Sequence, residues 1–400
     1  NSSAITLSPS GYYDFINHNF YGASASLRMY GVDGVNRAFE FDGTVFTPID
    51  TGMTTDTPTH LFAYKKHLFL AFPGGSVQHS STGEPITFDA ISGAAEIAIG
   101  EEVTGFGSSP DALPIFGRNK TAILYGSSTL DWNLTTHSET SGAIEWTIQS
   151  LGRPMYLDDP GLTDLQAVQA YGNFADNAFS EKIRPLLKSK IALACASVTI
   201  RNKSQYRIFF TDNSGIIATF NKGKLVGFAR IDYGKVVRCA CSVEDSSGNE
   251  EVFFGSDDGY VYQMDSGTSF DGTAITAFMR LPFYHYGNNR QKKRFRKIVM
   301  DIDAPSGATL SFRADFDYGG DNMPTGETLS LDVISGGGYW DENAYWNSFV
   351  WDAQVVGVAQ GYIDGTGLNM SLAIRSEATY EEPHTLQGAT IHYSPRGLER

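Results

Sequence analysis

The dominant pattern along the chain is a short apolar or alternating run, closed by a Gly, Asp or Asn turn and followed by a second such run. Arg37 to Phe46 reads RAFEFDGTVF, two short strands around Asp42-Gly43. His67 to Val77 reads HLFLAFPGGSV, again strand, glycine turn, strand. Thr121 to Tyr125 is a strand ending at Gly126, and Met155 to Leu162 reads MYLDDPGL. Tyr206 to Phe220 reads YRIFFTDNSGIIATF, and Val252 to Met264 reads VFFGSDDGYVYQM. Such turns allow positive φ and match the twist of a hairpin. Taken at Gly43, Gly75, Gly126, Gly161, Gly215 and Gly259, they recur with a mean step near 43 residues, although single steps run from 32 to 54. A period of about 40–45 residues is that of a four-stranded propeller blade. The unevenness leaves an array of β-sandwiches open. Helical signal is thin: Ser180 to Leu187 (SEKIRPLL) predicts one or two turns, capped by Ser180, disturbed by Pro185 and bridging two blades.

The pattern changes near residue 280. Alternating strand signals follow at Lys297 to Asp303, Thr309 to Phe316, Leu368 to Ile374 and Gln387 to Tyr393. Between them lies a Gly- and aromatic-rich stretch, Gly336 to Trp351, inside a long loop or ribbon at about 318–350. The expected fold is therefore all-β, a β-propeller-like domain followed by a β-sandwich-like domain. The expected boundaries are an N-terminal segment at 1–29, a propeller at 30–279 and a sandwich at 280–400. The chain opens on Asn1 rather than Met, which leaves processing or truncation of the N-terminal segment open.

Composition narrows the function classes. The 400 residues carry 30 Lys and Arg against 45 Asp and Glu, a net charge of −15. That is a poor footprint for a dedicated nucleic-acid binder. Three cysteines, Cys195, Cys239 and Cys241, exclude a disulfide scaffold and offer no CxxC metal knuckle; they read as buried free thiols. On a strand Cys239 and Cys241 would point to one face. No apolar run reaches the roughly 20 residues of a membrane span.

Enzyme signatures are absent. There is no HExxH, no GxSxG and no P-loop Lys, and Gly105-Phe106-Gly107 lacks the rest of a dinucleotide loop. The eight histidines do not cluster; His60 and His67, seven apart, read as structural or solvent-facing. Asp257-Asp258-Gly259 and Asp212 to Gly215 lack the Glu of a calcium loop and read as Asx turns. No catalytic residue, metal site or cofactor is expected.

Two features remain. Arg290, Lys292, Lys293, Arg294, Arg296 and Lys297 place a fifth of all cations in eight residues. They fit a contact with a neighbouring subunit, an adaptor or DNA phosphate, or a linker entering a charge-guarded strand edge. If Phe295 and Ile298 face a core, the charges cannot share one face. The second feature is the aromatic set Tyr339, Trp340, Tyr345, Trp346, Phe349 and Trp351 on the long loop. It fits a subunit or partner interface at a distal tip, packing onto its own domain, or sugar stacking.

The segments YGVDGVNRAFEFDGTVFTPI (Tyr30 to Ile49) and TPTHLFAYKKHLFLAFPGGSVQHSSTGEPITF (Thr57 to Phe88) resemble virion structural proteins of tailed bacteriophages. GSDDGYVYQMDSGTSFDG (Gly255 to Gly272), KRFRK (Lys293 to Lys297) and GATIHYSPRGLER (Gly388 to Arg400) extend the resemblance over most of the chain. The family it resembles is the tail nozzle, hub or tubular B protein of short-tailed phages. The resemblance implies a catalytically silent propeller protein of the virion tail, in a ring of six copies below portal and adaptor. It implies a channel passing double-stranded DNA without sequence recognition, and anchoring of tail fibres or spikes. An acidic lumen that repels phosphate would suit that role. The alternative is a carbohydrate-binding, receptor-recognising propeller.

Overall fold

The computed structural model describes residues 7–23, 26–167, 174–303, 308–319, 328–333, 356–378 and 383–398. The chain divides into two compact units, Asn1–Met264 and Asp265–Arg400.

The first unit is a β-propeller built from consecutive antiparallel meanders. Blade 1 contains β1 (Asp14–His18), β2 (Arg28–Val32), β3 (Phe39–Phe41) and β4 (Phe46–Pro48). Blade 2 contains β5 (His60–Tyr64), β6 (His67–Ala71), β7 (Ser76–His79) and β8 (Ala95–Ala98). Blade 3 contains β9 (Val103–Phe106), β10 (Ala112–Gly117), β11 (Thr121–Tyr125) and β12 (Asn133–Ser138). Blade 4 contains β13 (Gln149–Ser150), β14 (Pro154–Asp158), β15 (Gly161–Ala167) and β16 (Phe174–Ala178). Blade 5 contains β17 (Ala194–Ile200), β18 (Gln205–Phe210), β19 (Ser214–Asn221) and β20 (Lys224–Asp232). Blade 6 has three described strands, β21 (Cys239–Glu244), β22 (Glu250–Gly255) and β23 (Val261–Gln263).

The repeat is regular when measured on first strands, which begin at 14, 60, 103, 149, 194 and 239, steps of 43–46 residues. It looked uneven on turn glycines because they do not all occupy the same turn. Five of the six have positive φ. Gly215 instead lies inside β19, with Phe209 and Ile231 within 3 Å of where a Cβ would stand. Asn213 takes the left-handed turn position there, at φ 67.

Blades stack by burying apolar faces on each other. Tyr30 and Val32 of blade 1 pack with Leu68 and Leu70 of blade 2. Phe69 and Val77 of blade 2 pack with Leu113 and Leu124 of blade 3. Phe116 of blade 3 meets Tyr156 of blade 4, and Leu157 of blade 4 meets Tyr206 and Ile208 of blade 5. Phe254 of blade 6 reaches blade 5 through Tyr233, whose ring lies 5.5 Å from Phe254 and 6.1 Å from Phe209. The second strands of blades 2, 3 and 4, with neighbours on both sides, are buried throughout: β6, β10 and β14. This is why HLFLA and ALPIFG read as continuous apolar runs.

The expected helix exists as one short α1 (Arg184–Lys188), preceded by a 3-10 turn at Glu181–Ile183. Pro185 sits in its first turn, where its missing N–H costs nothing, so it starts the helix rather than disturbing it. Ser180 makes no cap bond; its Oγ accepts from Leu162 N at 2.7 Å.

The second unit is a β-sandwich. One sheet runs in the order β24 (Ile275–Arg280), β29 (Met370–Ala378), β26 (Ala308–Phe316), β27 (Thr328–Val333). The other runs β28 (Val356–Gly367), β25 (Gln291–Asp303), β30 (Thr385–Leu398). The core between them joins Phe295, Ile298, Met300, Ile302 and Ile363 of the second sheet to Leu310, Phe312, Phe316, Leu372 and Ile374 of the first.

Two expected boundaries move. β1 lies inside the supposed N-terminal segment and pairs with β2 from Asp14↔Val32 to His18↔Arg28, so the propeller begins earlier than residue 30. The 279/280 boundary falls within β24, which pairs with β29 along its length and belongs to the sandwich.

Candidate functional site

The basic run forms the first half of β25. It is neither a linker nor a strand edge: β25 is the central strand of its sheet, hydrogen-bonded to β28 and β30. Alternation sends Lys293 and Phe295 inward with Lys292 and Arg294 outward. A bulge between Phe295 and Lys297 then resets the phase. Ile298, Met300 and Ile302 therefore continue the inward face, and Arg296 and Lys297 stay outside.

The six basic residues thus have different roles. Lys293 is 1 % exposed. Its ammonium donates to the carbonyls of Asn288 (2.5 Å), Gln291 (2.8 Å) and Leu368 (3.2 Å), and burial lowers its pKa. Lys293 is a structural cation, unavailable to a subunit, an adaptor or DNA. Arg290 and Arg296 are exposed, and Lys292, Arg294 and Lys297 are half-buried. Arg294 pairs with Asp364 at 3.3 Å. Lys297 stands in register between Tyr362, 79 % exposed, and His392. Farther along the same strand come Asp301 and Asp303, so the sheet is basic at one end and acidic at the other. The aromatic set Tyr339, Trp340, Tyr345, Trp346, Phe349 and Trp351 lies outside the described residues.

A second constellation, which the sequence did not reveal, gathers where the first strands begin. Tyr12, just before β1, places its hydroxyl between the carbonyls of Cys195 (3.1 Å, blade 5) and Arg238, at the start of blade 6. Its ring lies 4.4 Å from that of Trp146, which leads into blade 4. His60 of blade 2 sits 4.9 Å from Trp146 on another side. Its Nδ1 is 3.6 Å from Asp14 and its Nε2 is 3.2 Å from Glu145. Burial alone would lower the His60 pKa, but pairing with Asp14 and Glu145 outweighs it and lifts the pKa to about 9. An imidazole, two carboxylates and two aromatic rings from blades 1, 2 and 4 therefore gather with backbone carbonyls of blades 5 and 6 where the first strands begin. Trp146 adopts φ 64, a left-handed backbone uncommon for a large residue. These residues are scattered from 12 to 238, so no local motif announces them.

The cysteines correct a further expectation. Cys195 is buried, with its thiol 3.2 Å from the Val237 carbonyl. Cys239 and Cys241 are exposed. They share one face of β21, as alternation requires, and both are exposed on it. His60 and His67 are both buried. Among the described residues, no group of three His, Cys, Asp or Glu is placed to hold a metal ion, and no helix is long and apolar enough to cross a membrane.

No protein-family model matches the chain, and no curated protein matches it. Among solved structures it is similar to BBS1N in complex with ARL6DN, in a crystal soaked with mercury: 11 % identity, TM-score 0.43, 66 % of this chain and 80 % of that one. A lead-soaked crystal of the same complex gives 9 % identity, TM-score 0.41, 63 % and 80 %. The computationally designed Ika8 protein gives 10 % identity, TM-score 0.35, 59 % and 80 %. The propeller assignment itself rests on the pairing and stacking of β1 to β23.

Proposed function

We propose that this chain is a structural, non-catalytic component of a bacteriophage tail, located in the virion. It forms a ring, of six copies by the resemblance, below the portal and adaptor. The ring continues the DNA channel, helps anchor fibres or spikes and takes no cofactor. The observation that carries this reading is the outer face of β28–β25–β30. There Arg294, Arg296, Lys297, His392 and the exposed ring of Tyr362 form a basic, aromatic-bearing surface on a chain of net charge −15. Such a patch suits protein–protein docking by charge complementarity. The stretches carrying the phage resemblance lie in the framework: blade hairpins, β25 and β30.

Electron microscopy of the particle or complex containing the chain tests the proposal. A six-fold ring around an axial channel attached to a portal supports it. A chain absent from every virion ends it and moves glycan binding first. Reversing Arg294, Arg296 and Lys297 to glutamate should weaken ring assembly and infectivity while leaving the thermal melt unchanged. Lys293 is excluded from that test, because its reversal would unfold the sandwich.

A further inference from the structure

The blades stack from 1 to 6 in sequence, and the walls of blades 1 and 6 that face each other carry exposed side chains. The burial of the flanking strands agrees. β1 and β21 alternate between half-buried and exposed positions, whereas β17 is largely buried. On blade 1 the open wall carries Tyr13, Phe15 (51 % exposed) and Phe46, in ring contact with Phe39 and Phe41. Gly31 lies beneath Phe15 and Phe39, and a Cβ there would approach those rings to 2.9 and 2.5 Å. On blade 6 the open wall carries Cys239, Cys241, Val243 and Val261 (75 % exposed). Tyr12 bridges the two walls at one end. Beyond that bridge, both walls keep apolar side chains exposed.

Charge indicates what covers it. Of the six carboxylates in residues 235–264, Glu244 and Glu250 pair with Arg201 of blade 5, Asp257 with Arg238 and Asp258 with Lys235, and a net negative charge remains. Glu251 stands opposite Val243 on the open wall. The complementary surface is present on every copy: the basic end of β25 and β30, with Arg290, Arg294, Arg296, Lys297, His392 and Arg396 beside the exposed Tyr362. We propose that the blade 6–blade 1 seam is an interface between copies, receiving the basic end of the β28–β25–β30 sheet of a second copy of this chain. This deepens the ring reading and rests on it. Each copy offers one seam and one basic end, so the contact is heterologous and closes into a ring when the rotation permits.

The native thiols provide the probe. Maleimide labelling of Cys239 and Cys241, resolved by mass spectrometry with buried Cys195 as internal control, is followed as the full-length chain associates in sedimentation velocity. Labelling should slow roughly tenfold or more in the associated form, since a tenfold change corresponds to about 1.4 kcal/mol of protection. Phe15→Glu and Arg296→Glu should each weaken association roughly tenfold or more. Glu251→Lys combined with Arg296→Glu should recover part of that loss, and added salt should weaken the wild-type contact. Thiols equally reactive in monomer and assembly overturn the seam interface while a ring seen by microscopy leaves the broader reading standing. A chain that stays monomeric at every concentration with open thiols, and is absent from any ring, overturns both. The wild-type labelling needs no variant, so a misfolded Phe15→Glu does not decide the matter.

Discussion

At the residue scale, two buried cations have opposite legibility problems. His60 looks ordinary in sequence, yet the fold sets its ring between Asp14 and Glu145 and raises its pKa to about 9. The unfolded imidazole titrates near 6.5. The folded state therefore binds the proton more tightly, and the stabilisation is complete below about pH 6.5 and is lost as pH rises through about 9. Thermal melts from pH 6 to 10 should show that decline in the native chain (a window set by the two pKa values). His60→Gln should flatten it and cost on the order of 2–3 kcal/mol at neutral pH; an unchanged slope would remove the ion-pair account. Lys293 sits in a basic run that advertises solvent or partner contact, but its ammonium is enclosed by three carbonyls. Lys293→Ala should cost about 2–4 kcal/mol by orphaning those acceptors, whereas Arg296→Ala should stay within about 0.5 kcal/mol in the monomer. Chemical denaturation of both variants distinguishes a structural cation from a contact residue. Sequence cannot make that distinction, because the side chains are chemically alike and only their phase on β25 separates them.

At the element scale, strand type was written in the chain and phase was not. HLFLA and ALPIFG are uniformly apolar because blades 2 and 3 are covered on both faces, while DFINH alternates because blade 1 is covered on one. The sandwich signals after residue 296 alternate cleanly as well. What no pattern disclosed is the bulge at Arg296, which lets Phe295 and Ile298 share the inward face although they are three residues apart. A one-residue slip turns every following side chain over. Inserting one residue between Lys297 and Ile298 should thus drive Ile298, Met300 and Ile302 outward and abolish folding of the sandwich, detectable as loss of protease resistance in residues 265–400. Deleting a residue from the exposed 245–248 turn of blade 6 should be tolerated far better.

At the scale of the whole molecule, the repeat length was legible and its closure was not. Turn glycines gave the right mean spacing but mixed different turns, and only the first strands show the regular 43–46-residue step. Closure depends on contacts between residues more than 180 positions apart, such as Tyr12 with Cys195 and Arg238. Tyr12→Phe removes the hydroxyl that reaches both carbonyls. It should speed hydrogen exchange in β1 and β21 together while leaving β10 and β14 unchanged; exchange confined to one of the two terminal blades would show that the hydroxyl does not couple them.

The exposed walls of blades 1 and 6 bear on how the array comes apart. The six blades behave much as a short solenoid, in which each unit leans on one or two neighbours and cooperativity spreads along a line. Blades 2 to 5 lend stability to their neighbours from both sides; blades 1 and 6 are half-supported, like the end repeats of an ankyrin array. Unfolding should then begin as fraying at the termini of the array and move inward, and a copy seated on the seam would act as the missing cap.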